Sequence, residues 1–113
     1  MKKSLFTLLL LMVLPLALGA NPARKVTVTY DAETQKLSVT ILHPVQNTEK
    51  HYISEIKVLL GDKEIETKTL TKQSSPESET YEITLPGLIK GNVVTVSAKC
   101  NQFGSKSGKL TIK

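Results

Sequence analysis

The chain has 113 residues, one cysteine, no tryptophan and a formal charge of +5. That length sets one small domain, and a single cysteine excludes an internal disulfide as its source of stability. The lysines alternate with Glu, Thr and Ser and form no basic cluster interleaved with aromatics, which excludes nucleic acid as the natural partner.

The first element read is a signal peptide over residues 1–20. Lys2 and Lys3 precede an apolar run from Leu5 to Leu18, and small residues follow. Ala17-Leu18-Gly19 and Leu18-Gly19-Ala20 each offer a cleavage site. The run is short for a bilayer span, which takes about 20 apolar residues, and no cysteine follows it to carry a lipid. The expectation is a secreted or periplasmic protein with no membrane anchor after cleavage and one domain over 21–113. Removal of Lys2 and Lys3 lowers the formal charge from +5 to +3.

From residue 24 on, apolar residues recur with period two, the signature of half-buried strands. RKVTVTY places Val26, Val28 and Tyr30 on one face, and DAETQ turns the chain. KLSVTIL places Leu37, Val39 and Ile41 together. HYISEIKVLL is β-rich, but its alternation slips between Ile53 and Ile56, which predicts a bulge or a twist. Gly61-Asp62 offers a tight turn into KEIETKT. TKQSSPES is a polar loop, TYEITL a short strand and PGLIKG a turn-rich link. NVVTVSAKC lines up Val94, Val96, Ala98 and Cys100, NQFGSKSG turns, and KLTIK closes the chain. About seven strands and no helical pattern predict an all-β fold, an immunoglobulin-like β-sandwich. The absent tryptophan and cysteine pair exclude an antibody-type domain.

In that topology the link after the second strand and the turn after the sixth lie at one end. His43, His51 and Cys100 should therefore gather at one pole. Imidazole and thiolate are ligands for zinc, iron and copper. A second reading of the same residues is structural: Cys100 shares the parity of Val94, Val96 and Ala98, and cysteine is among the most buried residue types. The chain carries no nucleophile elbow and no phosphate-binding glycine loop. Asp31, Glu33, Glu49 and Glu55 read as solvent-facing charges.

HPVQNTEKHYISEI followed by CNQFG resembles the iron-binding domain of desulfoferrodoxin and superoxide reductase, from about the second strand to the end of the chain. His43-Pro44 matches the family's His-Pro element. His51-Tyr52-Ile53 matches His-His-Ile, with Tyr52 in place of the second histidine. Cys100-Asn101 and Gly104 match Cys-Asn-x-His-Gly. The resemblance implies a sandwich holding mononuclear iron, with His43, His51 and Cys100 as ligands. It also implies superoxide as the small-molecule partner, an external electron donor, and Lys50 as the cation that assists superoxide binding. The pattern departs at two places. Phe103 stands where the family has a histidine, and residues 21–25 lack the family's N-terminal loop histidine. Three of five ligands remain, leaving water, Asn101, Glu49 or the mature α-amine to complete the set, and Phe103 as an apolar wall or plug. A two-histidine, one-cysteine set also suits zinc or copper. The alternative is an envelope binding module that keeps the sandwich and has lost the metal site.

Overall fold

The alternation of apolar and polar residues produces seven strands and, among the described residues, no helix. The structure is a computed structural model that describes residues 21–113; the expected signal peptide, 1–20, lies outside the described residues. In chain order the strands are β1 (Lys25–Asp31), β2 (Lys36–Leu42), β3 (Ile53–Leu60), β4 (Lys63–Thr69), β5 (Ser78–Thr84), β6 (Val93–Cys100) and β7 (Ser105–Thr111). They form two antiparallel sheets, ordered β1-β2-β5 and β4-β3-β6-β7. The expected all-β two-sheet architecture is present.

The strand faces follow the residue parity. Val26, Val28, Leu37, Val39 and Ile41 point inward from the first sheet. Ile53, Ile56, Val58, Val94, Val96 and Ala98 meet them from the second. Each buried aliphatic side chain contributes about 1.5–3 kcal/mol, and with no disulfide these contacts hold the sheets together. Ile53 and Ile56 have opposite parity, so both can face inward only if the strand is irregular between them. The β3–β6 register shifts between Ile53 and Glu55, where the bulge or twist was expected. A second shift, between Val58 and Leu59 against β4, has no sequence signal.

Several boundaries differ from the sequence reading. β3 begins at Ile53 rather than His51, β5 at Ser78 rather than Thr80, and β7 at Ser105 rather than Lys109. Ser105, Lys106 and Ser107 pair with Lys99, Ala98 and Ser97 through the backbone while their own side chains are exposed. An edge strand with no apolar alternation leaves no trace in the side-chain pattern. Gly108 sits against β1 so closely that a Cβ there would collide with the Val26 carbonyl. Gly61, at φ +60°, and Asp62 form the two-residue hairpin between β3 and β4.

This topology sends the end of β2, the start of β3 and the end of β6 to one pole. The β2–β3 link, the β4–β5 loop and the β6–β7 turn meet there.

Candidate metal centre

His43 leaves the end of β2 and is 1% exposed. Its N–H donates to the Glu77 carbonyl at 2.9 Å, which carries the chain inward. Its ring Nδ1 lies 2.7 Å from Gln73 Oε1 and its Nε2 lies 3.1 Å from the Asn21 carbonyl. The Gln73 amide nitrogen donates to the His43 carbonyl at 2.7 Å and to the Ser75 carbonyl at 2.9 Å. Both amide hydrogens are thus used, so Oε1 can only accept, and His43 Nδ1 carries the proton. A buried acceptor fixing one ring nitrogen and leaving the other to face outward is the arrangement that orients a ligating histidine.

His51 closes the turn after Asn47, its N–H donating to the Asn47 carbonyl at 2.9 Å. Its Nε2 is buried and has no hydrogen-bond partner. Such an atom needs a reason, because buried polar groups are almost always paired. The two imidazoles meet edge to face, with centroids 4.7 Å apart and planes at 88°.

Cys100 ends β6, is 2% exposed and forms no disulfide. Its Sγ accepts the Gln102 N–H at 3.4 Å, and its own N–H donates to the Gly104 carbonyl at 2.9 Å. The turn between them depends on Gly104, whose φ of +71° favours a residue without Cβ.

One imidazole nitrogen each from His43 and His51 and the Cys100 Sγ lie within 4.8 Å of one another. The expected gathering at one pole is therefore present in the geometry. His51 with an unpartnered buried nitrogen, a His43 ring oriented by Gln73 and a buried Cys100 sulfur make a donor set of two nitrogens and one sulfur, which fits a borderline or soft transition metal better than magnesium or calcium. A groove of about 540 Å³ opens beside His51, between Asn21, Pro44–Asn47, Lys50 and Gln102.

The remaining site candidates separate clearly. The Lys50 side chain is exposed on the groove rim and joins none of the ion pairs among the described residues. Asn101 is a clamp and does not complete the ligand set. Its Oδ1 accepts the Tyr52 N–H at 2.9 Å and its Nδ2 donates to the Lys50 carbonyl at 3.0 Å. Gln102 Nε2 reaches the same Lys50 carbonyl at 3.2 Å. Together they tie the cysteine turn to the strand entry that carries His51. Glu49 is exposed and lies outside the three-residue cluster. Phe103 is 62% exposed, so it neither walls nor plugs the site. Sequence reasoning missed Gln73, which sits in the polar loop and is only 3% exposed; nothing in TKQSSPES marks it.

No family model matches the chain, and no curated protein matches it. Solved structures do. The superoxide reductase (1Fe-SOR) from Giardia intestinalis superposes with a TM-score of 0.62 at 16% identity, covering 81% of this chain and all (100%) of that one. The fold is superoxide reductase-like. Two variants of the superoxide reductase neelaredoxin from Ignicoccus hospitalis give TM-scores of 0.55 and 0.54, at 16% and 17% identity. They cover 84% and 87% of this chain and 82% and 84% of theirs. At such identities the likeness is one of fold, and the donor set stands on its own geometry.

Proposed function

We propose that this chain is an exported, superoxide reductase-like domain that binds one metal ion, iron, through His43, His51 and Cys100. The observation that carries the reading is the convergence of ligand atoms from His43, His51 and Cys100, together with a buried His51 Nε2 that has no partner. The activity is one-electron reduction of superoxide: superoxide, one electron and two protons give hydrogen peroxide. Bound iron would supply that electron, to be replenished by an external donor.

The chain's own residues do the rest. Gln73 occupies the His43 Nδ1 side of the ring, so Nε2 is the nitrogen that would bind the metal. The Gln102 N–H donates to the Cys100 sulfur and fixes its position in the turn. Asn101 keeps the cysteine turn fixed to the entry of β3. Lys50, charged and exposed on the groove rim, attracts the superoxide anion. Burial of His43 and Cys100 keeps competing water from the ligands, while the groove leaves access from the His51 side.

The test is the stoichiometry of the reaction on protein purified anaerobically with iron. A reductase yields one peroxide for each superoxide consumed. A yield of one peroxide per two superoxide ions would mean dismutation, and no consumption above that of free iron would remove the activity. Lys50→Ala should slow consumption at low ionic strength more than at high. A second reading, a non-catalytic envelope module, draws support from the solvent-facing Phe103 where an imidazole ligand would stand. It predicts no superoxide consumption and a specific envelope partner.

A further inference from the structure

His43 Nε2 and the Asn21 carbonyl oxygen face each other 3.1 Å apart. Gln73 occupies the other ring nitrogen, Nδ1, at 2.7 Å, so Nε2 is the His43 atom left for a metal, and the Asn21 oxygen lies beside it. Adjacent ligand atoms at bonds of about 2.1 Å are separated by about 3 Å at right angles, which is the spacing found. Asn21 also lines the groove with His51, Lys50 and Gln102. It is the first residue after the expected cleavage site Leu18-Gly19-Ala20.

We propose that hydrolysis of the Ala20–Asn21 bond converts Asn21 into a chelating ligand, whose carbonyl oxygen and freed α-amine join His43, His51 and Cys100. This rests on the metal-binding reading above. The hydrolysis consumes one water: the carboxylate leaves on Ala20 and the amine stays on Asn21. Amine nitrogen and carbonyl oxygen of one residue close a five-membered ring on a metal, a geometry that needs no further folding. The amide nitrogen of an uncut chain has its lone pair delocalised into the carbonyl and is a poor donor. The metal site would thus be completed only after export, and three side chains plus two main-chain atoms give five donors. Residue 21 would take up the coordination left by the absent N-terminal histidine and by Phe103.

The experiment compares the full chain, expressed with its leader and recovered after export, with a variant carrying Gly-Ser inserted between Ala20 and Asn21. The insertion moves the amine two residues away and leaves every side-chain ligand in place. Mass spectrometry should find a mature chain beginning at Asn21. Cobalt(II), titrated against a competing chelator, should bind the native form at least tenfold more tightly than the inserted form, with equal apo-protein Tm. Cobalt should also protect the native α-amine, but not the inserted one, from an amine-acylating reagent. Equal affinity with equal acylation, or a mature chain that begins elsewhere, overturns the chelate and leaves the three-side-chain site standing. No cobalt in either form overturns both.

Discussion

The two ends of the sandwich are built differently. At the far end, the 32–35 turn, the Gly61-Asp62 hairpin and the 86–92 link are solvent-facing. Backbone bonds such as Gly61 N–H to the Val93 carbonyl at 2.9 Å and Leu85 N–H to the Gln35 carbonyl at 2.8 Å join them, and most of their side-chain bonds are local, such as Asp31 Oδ1 accepting the Glu33 N–H at 2.9 Å and Asn92 Oδ1 accepting the Ile89 N–H at 2.8 Å. At the near end, loops distant in sequence are stitched to one another. His43 meets Gln73, Asn101 meets Tyr52 and Lys50, and Gln73 N–H meets the Thr48 carbonyl. The buried polar residues among those described, His43, Gln73 and Glu79, all lie toward this end. Glu79 is itself paired, accepting from Ser74 Oγ at 2.6 Å. Burying polar groups costs stability unless each is paired, so a fold needs such a network at one end only if that end positions something. Within it the His51 Nε2 has no partner, and that marks what is positioned.

Substitutions sharpen the contrast. The largest effect on metal binding is expected from Cys100→Ala. Removing the thiolate should weaken cobalt or iron binding by more than roughly 100-fold, exceeding the loss typical of an orienting residue, with the β-sheet circular dichroism unchanged. Gln73→Leu comes next. It leaves the His43 Nδ1–H unpaired and frees the ring, so metal affinity should fall about 10–100-fold. Urea denaturation of the metal-free protein should record a loss of about 1–3 kcal/mol. Gly108→Val separates fold from site. Its side chain would enter the β1 backbone at Val26, destabilising the sandwich by about 1–3 kcal/mol; metal affinity of the folded fraction should not change. Phe103→Ser should do least. The ring is 62% exposed, so stability should stay within about 0.5 kcal/mol and cobalt affinity should be that of the unsubstituted chain. A marked loss of affinity there would mean that the phenylalanine shields the site after all.

Much of the fold was legible because side-chain parity reports on strands buried on one face. Val26 to Val28, Leu37 to Ile41 and Val94 to Cys100 alternate cleanly, and the slip between Ile53 and Ile56 marked the bulge. The start of β7 was not legible, because Ser105 to Gly108 are held by backbone pairing at an edge. At the site, His43, His51 and Cys100 are rare residue types whose order along the strands brings them to one end. Gln73 was hidden by its polar loop: only the fold reveals that its amide faces inward to His43. Asn101 was legible as a motif residue but not in its role, since its bonds to Tyr52 and Lys50 join segments far apart in the chain.

Whether His43, His51 and Cys100 form a metal site is tested most directly by cobalt(II) titration of the mature protein, followed by absorption. The expected result is one cobalt per chain and a near-ultraviolet sulfur-to-cobalt charge-transfer band, both lost in Cys100→Ala. No bound cobalt, or the same spectrum with and without Cys100, would contradict a metal site there.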